Sequence, residues 1–437
     1  MPRILEKPLS LYLPRLELVL VTLVLCAVFV PAINRVPFHS DESHWIFSSR
    51  YFETFAQGDF SAKSWNSYWS AVQPYVPRYI IALGRLAGGY HVADLNLPWK
   101  FALSDAQNAS EGRRPSPELL WWSRLPMAIL AAMSGLAAFA ALRTAAGRVP
   151  AYLVVAFYAF NPYYTDVLPR AMSEAVLFFC MILAILCGGV VLTRWRVFAD
   201  APCRRTLGFL LVGTAALGAA SGAAGACKLN GLVLIPASAL LLMIAALAYR
   251  GRLSQSRRAL ILGGLVLWLC GASLVLFVGS NPFLFRNPLS KTRVMFNQRN
   301  MEIAAQVQSF PRAALTKWER RVETVPKRLF QDYAPLRYPG ATAINLALTT
   351  LGLAWLARTA YDWIRRRNVN SVAVAILILG ASASAPALAT PLDWNRYYLL
   401  LLVFLMLCEA LGVGVLVRLA DAAWRNWPLP GVSRNQM

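Results

Sequence analysis

The chain has 437 residues, of which 57% are hydrophobic and only 15% charged, with a mean hydropathy of +0.48. Soluble domains carry about 25% charged and about 45–50% apolar residues, so this composition excludes an ordinary soluble multidomain protein and indicates a membrane protein. The 43 Lys and Arg against 21 Asp and Glu leave a net charge of +22, which in a soluble chain points to nucleic acid and in a membrane chain points first to orientation.

Apolar runs of roughly 20 residues, enough to cross about 30 Å of hydrocarbon, lie at about 16–34, 119–142, 150–167, 171–193, 207–227, 230–249, 259–280, 341–358, 371–390 and 397–417. They predict an all-α polytopic membrane protein, one membrane domain over 1–437 with about ten spans. The first run follows Arg3, Lys7 and Arg15 like a signal peptide, but it is too long, and no small-residue cleavage site precedes Asn34-Arg35. It is read as a retained helix. Seven cysteines without a CxxC pair make a disulfide framework or a Cys zinc site unexpected.

The connections alternate in charge. One set holds Arg143 and Arg148, Arg194 to Arg205, Arg250 to Arg258, Arg358 to Arg367, and Arg418, Arg425 and Arg434. With the N-terminal segment these short stretches contain about half of all the basic residues. The other short connections hold Arg170, Lys228 and Arg396 alone. The positive-inside rule puts the first set, with both termini, in the cytoplasm, and places the protein in the inner (plasma) membrane with its other face outward. Nucleic acid is then not needed to explain the charge. Two long outer segments remain, 35–118 and 281–340, and loops of that length are uncommon without structure and a task. In the first, Trp45 to Phe55 and Tyr75 to Leu86 read as short helices lying in the membrane interface or packing on the bundle.

Four outer motifs carry ionisable residues. Phe38-His-Ser-Asp41-Glu42-Ser-His44-Trp45 places two carboxylates just beyond the first span, where poor solvation raises a carboxylate towards a useful general base. Ser40 or Asp41 also suits a helix N-cap, with Glu42 in the first turn. Gln73-Pro-Tyr-Val-Pro-Arg78 opens a helix with Pro in its first turn and offers a guanidinium fork to a phosphate or to lipid head groups. Asn161 to Glu174 crowds Asp166, Arg170 and Glu174 at membrane depth, where charge is costly and marks function. An Arg170–Glu174 pair at i,i+4 is the structural reading of those two. Asp393-Trp-Asn-Arg396-Tyr397-Tyr398 leads into the last span, where Arg396 either grips a phosphate or anchors the helix in an aromatic belt. Lys228, between the fifth and sixth spans, is similar. Glu409 is a mid-span acid, and Gly213 to Gly225 could be the broken helix of a transporter or flippase, the alternative to an enzyme.

These motifs resemble, in order, those of the GT-C integral membrane glycosyltransferases, especially the protein O-mannosyltransferase-like and aminoarabinose-transferase-like branch. Asp41-Glu42 matches the acidic pair of the first outer loop. Gln73 to Arg78 is similar to a His-Pro-Pro-Leu-Gly-Lys segment, with Gln73, Tyr75 and Pro77 as departures. Arg124-Leu-Pro, Arg170-Ala-Met-Ser-Glu174 and Arg396-Tyr-Tyr match later elements. The resemblance implies inverting transfer of a sugar from a polyprenyl-phosphate donor to an acceptor hydroxyl on an envelope glycan, lipid or protein, within membrane lipids. Asp41 with Glu42 would be catalytic, and Arg78, Arg396 and Lys228 would neutralise the departing phosphate. Asp166, Arg170, Glu174 and Tyr397 would bind substrate. Some relatives hold zinc, for which His44 and Glu42 are the candidates here. No metal or other cofactor is otherwise implied.

Overall fold

A computed structural model describes residues 6–249, 251–365 and 370–425. Of the basic residues assigned to the cytoplasmic side, Arg3, Arg250, Arg366, Arg367 and Arg434 lie outside them. The described residues form helices and no strand; one isolated bridge joins Ala314 to Leu392.

Eight helices among the described residues are long and apolar enough to cross a membrane, beginning with Arg15–Arg35, Pro117–Ala146 and Glu174–Asp200 and ending with Asn395–Arg425. Two of the ten expected spans are not among them. The run at 150–167 is two pieces, Arg148–Ala159 with 12 residues and Pro162–Val167 with six. Twelve residues rise only about 18 Å. The break falls at Asn161, whose side chain accepts the Tyr163 N–H as an N-cap, followed by Pro162, which has no N–H to continue the first helix. The helix Ala341–Ile364 has 24 residues but is diluted by Thr, Asn and charged side chains.

The Gly-rich stretch from Gly213 to Gly225 belongs to one unbroken helix, Arg204–Cys227. Its glycines serve packing. A Cβ on Gly222 would strike the Ser273 carbonyl of the neighbouring helix Gln255–Gly279, and Ser273 Oγ donates to Gly218 O at 2.9 Å. Small residues allow backbones to approach this closely where no hydrophobic force separates helix from lipid. Gly222→Val should lower thermal stability in detergent by about 1–3 kcal/mol, the usual penalty of overpacking, and an unchanged melting temperature would refute that seam. The broken helix expected of a transporter is absent from this segment.

The long connections are helical too. Ser40–Ser48, Tyr51–Ala56 and Val76–Ala87 come from the first. Val76–Ala87 seats on Pro117–Ala146, because a Cβ on Gly84 would collide with the Pro126 ring and the Trp122 carbonyl. Arg85, fully buried, ties the group together: it donates to both Glu53 oxygens at 2.6 Å, to Ser49 Oγ at 2.8 Å and to Tyr90 O at 2.9 Å. The second connection contributes Pro288–Ser309 and Trp318–Lys327. It also holds the approach to the last span, through Leu315 N–H to Pro391 O and Asp393 N–H to Ala313 O, both 2.7 Å, and Arg328 to Asp393 at 2.7 Å.

Candidate active site

The adjacent carboxylates Asp41 and Glu42 have opposite surroundings. The helix that carries them is capped by His39, not by Ser40 or Asp41: His39 Nδ1 accepts the Asp41 N–H at 3.1 Å, and Glu42 Oε2 accepts the His39 N–H at 3.0 Å. Successive helix positions point about 100° apart. Glu42 therefore turns inward, fully buried, and accepts from Arg124 Nε at 2.7 Å and Nη2 at 2.6 Å and from the Ala171 N–H at 2.8 Å. The same guanidinium donates to Ile33 O, Val36 O and Pro37 O at 2.7–3.1 Å, capping the end of the first span. Glu42 is thus the centre of a closed clamp and is not part of the cavity wall that holds Asp41.

Asp41 faces the other way, into a cavity of about 720 Å³ bounded by both long connections and the helix ends near them. Its carboxylate accepts from Arg396 Nη1. Burial would raise its pKa, but the Arg396 charge, helped by His39, outweighs burial and holds the carboxyl at about 2. His44 borders the same space between Trp69 and Phe101, ring centroids 4.8 and 5.5 Å away. Burial lowers its pKa against the pull of Asp41, which favours the neutral ring.

Further along the wall, Lys228 donates to Glu174 at 3.1 Å and lies 5.4 Å from the Tyr397 ring centre. The expected Arg170–Glu174 pair does not form. Arg170 pairs instead with Asp166 at 2.9 and 3.0 Å, because 168–173 leaves helical geometry and Glu174 opens the next span facing Lys228. Asp166 and Arg170 lie off the cavity. Arg78 does line it. Its side chain is buried among the rings of Tyr75, Trp45 and Tyr51, 4.7 to 5.8 Å from its guanidinium, and Nη2 donates to Trp69 O at 2.8 Å. Nε and Nη1 have no hydrogen-bond partner among the described residues, an expensive state for a buried charge that a bound anion would relieve.

Of the residues singled out from sequence, Asp41, Arg78, Glu174, Lys228, Arg396 and Tyr397 share this cavity. Among the lining residues that were not site candidates from sequence are Arg299, Glu302 and Tyr68. Arg299 donates to Tyr397 OH at 2.6 Å and to Glu302 at 3.1 Å, and Tyr68 OH donates to Glu302. Arg299 and Glu302 lie on Pro288–Ser309, which buries Met295 alone and so offers no apolar stripe to mark it; their i,i+3 spacing was the available signal, while Tyr68 opens the short helix Tyr68–Val72. For zinc the fit is poor. The described residues contain no group of three or more His, Cys, Asp or Glu able to hold a metal, and the Glu42 oxygens proposed beside His44 are filled by Arg124 and backbone N–H groups.

No family model matches the sequence, and no curated protein matches it. Among solved structures, the chain is similar to the Archaeoglobus fulgidus oligosaccharyltransferase tethered with an acceptor peptide, at 14% identity and a TM-score of 0.54 over 95% of this chain and 51% of that one. The same enzyme in complex with Zn and sulfate gives 14% and 0.52 over 94% and 51%. ArnT from Cupriavidus metallidurans in the apo state gives 17% and 0.48 over 95% and 62%. The chain spans about half the length of the archaeal enzyme it matches. At such identities the likeness is one of fold alone: over most of its length the chain has the helical fold of part of the archaeal oligosaccharyltransferase.

Proposed function

We propose that the chain is an inverting membrane glycosyltransferase, moving a hexose or pentose from a polyprenyl-phosphate donor to an acceptor hydroxyl or similar nucleophile. The observation that carries this reading is the charge lining of the cavity. Four cations, Arg78, Lys228, Arg299 and Arg396, surround three carboxylates, Asp41, Glu174 and Glu302. The excess of one positive charge suits a single phosphate anion, and the aromatic wall of Trp69, Phe101 and Phe296 suits a sugar ring.

In this reading Asp41 is the general base. The acceptor oxygen forms its bond to the anomeric carbon from the face opposite the phosphate, and its proton passes to Asp41. The anomeric carbon–oxygen bond breaks, and the lipid phosphate leaves with the electron pair. It needs no proton at neutral pH, only nearby positive charge, which Arg78, Arg396 and Lys228 supply. The distribution of Arg between connections supports an outward-facing site in the plasma membrane, with an envelope glycan, lipid or protein as acceptor.

The test is to offer purified protein a panel of polyprenyl-phosphate sugars, radiolabelled in the sugar, together with an envelope extract. A transferase moves the label onto a polar or polymeric acceptor and leaves lipid phosphate. A donor that crosses reconstituted vesicles intact, without transfer, would replace this reading with transport.

A further inference from the structure

The three carboxylates of the cavity are each matched to one cation: Asp41 to Arg396, Glu174 to Lys228 and Glu302 to Arg299. Arg78 is left over, with two nitrogens unpartnered. A phosphate that draws on Arg78 takes nothing from a carboxylate, but a second cation has to be taken from one. Which pair opens is decided by what the abandoned carboxylate loses. The Glu174 side chain is only 3% exposed, and one of its oxygens already lacks a partner, so removing Lys228 would strand a buried charge. Glu302 is 14% exposed, but Arg299 is shared with Tyr397 and Tyr68 also holds Glu302, so that pair is braced from both sides. The Asp41 side chain is 23% exposed, and Arg396 is its one side-chain hydrogen-bond partner among the described residues. Water can replace Arg396 around Asp41 at the least penalty. Arg396 in turn stays in the cavity when it lets go, because its guanidinium lies 5.2 and 5.8 Å from the Trp394 and Tyr397 rings.

We infer that the donor's phosphate and Asp41 compete for Arg396, so that donor binding frees the carboxylate and transfer follows the fixed order of donor first, acceptor second. This rests on the proposed function. In the empty site the guanidinium stabilises the charged carboxylate and makes it a poor proton acceptor. With Arg396 turned to the phosphate, that stabilisation is withdrawn and Asp41 gains proton affinity. An acceptor that arrives first meets a base that is still neutralised. The step itself is unchanged: the acceptor proton goes to Asp41 and the electron pair leaves on the lipid phosphate.

The competition has a consequence opposite to that of an ordinary binding residue. Asp41→Asn should bind a polyprenyl monophosphate more tightly than the wild type, by about 3- to 10-fold, the range of a partly exposed ion pair. Arg396→Ala should bind it more weakly, and adding Asp41→Asn to Arg396→Ala should restore nothing. Titration of the full-length protein in nanodiscs with the lipid phosphate alone measures this, with Asp41→Ala as a second variant that cannot hold Arg396 through a side-chain amide. If Asp41 merely orients Arg396 for the phosphate, both Asp41 variants bind more weakly. Equal or weaker binding overturns the competition while leaving the transferase reading in place. A wild-type protein that does not bind the lipid phosphate overturns both.

Discussion

Asp41→Asn should lower the turnover number by about 10²–10⁴-fold, the usual contribution of a positioned general base, while the purified protein elutes and melts like the wild type. The separation is expected because Asp41 is the one cavity carboxylate with a single side-chain partner and an exposed flank, whereas the fold at this corner is carried by its neighbour Glu42. The amide keeps size and shape and removes the proton-accepting oxygen charge. Single-turnover transfer from preloaded donor is the measurement, since it reports the chemical step without donor affinity, which the same substitution is expected to improve. Wild-type single-turnover rates in the variant would remove Asp41 from the mechanism.

The second large effect concerns stability. Arg124→Ala should destabilise the protein by about 3–5 kcal/mol, the cost of leaving a buried charge without its partner. Glu42 would keep two backbone N–H donors but lose both guanidinium bonds in a fully buried position, and the carbonyls of Ile33, Val36 and Pro37 would lose their donor together. Thermal unfolding in detergent should show a large fall in melting temperature or a loss of monodisperse protein. Arg124→Lys should fall between, because an ammonium matches the charge but not the fork. An alanine variant as stable as the wild type would mean that the clamp carries none of this load.

Much of the fold is legible in the sequence, because in a bilayer the backbone must be helix or closed barrel, and continuous apolar runs of this length mark helices. The run 371–390, for example, is found as Ser371–Leu388. The break within 150–167 has a local cause that hydropathy averages away, an Asn cap and a proline inside an otherwise apolar window. The topology alone brings 41, 42, 78, 166, 170, 228 and 396 to the same side; of these 41, 78, 228 and 396 line the cavity, and 42, 166 and 170 do not. The pairing of the charges was not legible. Glu174 chooses Lys228, 54 residues away, over Arg170 four residues away, because the choice depends on a non-helical turn at 168–173 that no spacing reveals. The split between Asp41 and Glu42 follows from helix geometry, but which of the two turns inward is set by the position of Arg124 on another helix.

The Glu42 clamp also constrains biogenesis. Its parts are spread along the chain: the carbonyls at Ile33 to Pro37, the carboxylate at 42, the guanidinium at 124 and the N–H at 171. A chain leaving the ribosome cannot complete the clamp until Ala171 has been synthesised and the helix Pro117–Ala146 has entered the bilayer. Until then a carboxylate destined for full burial waits at the membrane boundary, and Asp41 beside it has no fixed position. This corner of the cavity is therefore set during synthesis only after more than a third of the chain has emerged, and nascent chains that stop short of residue 171 would present the first long connection without its anchor.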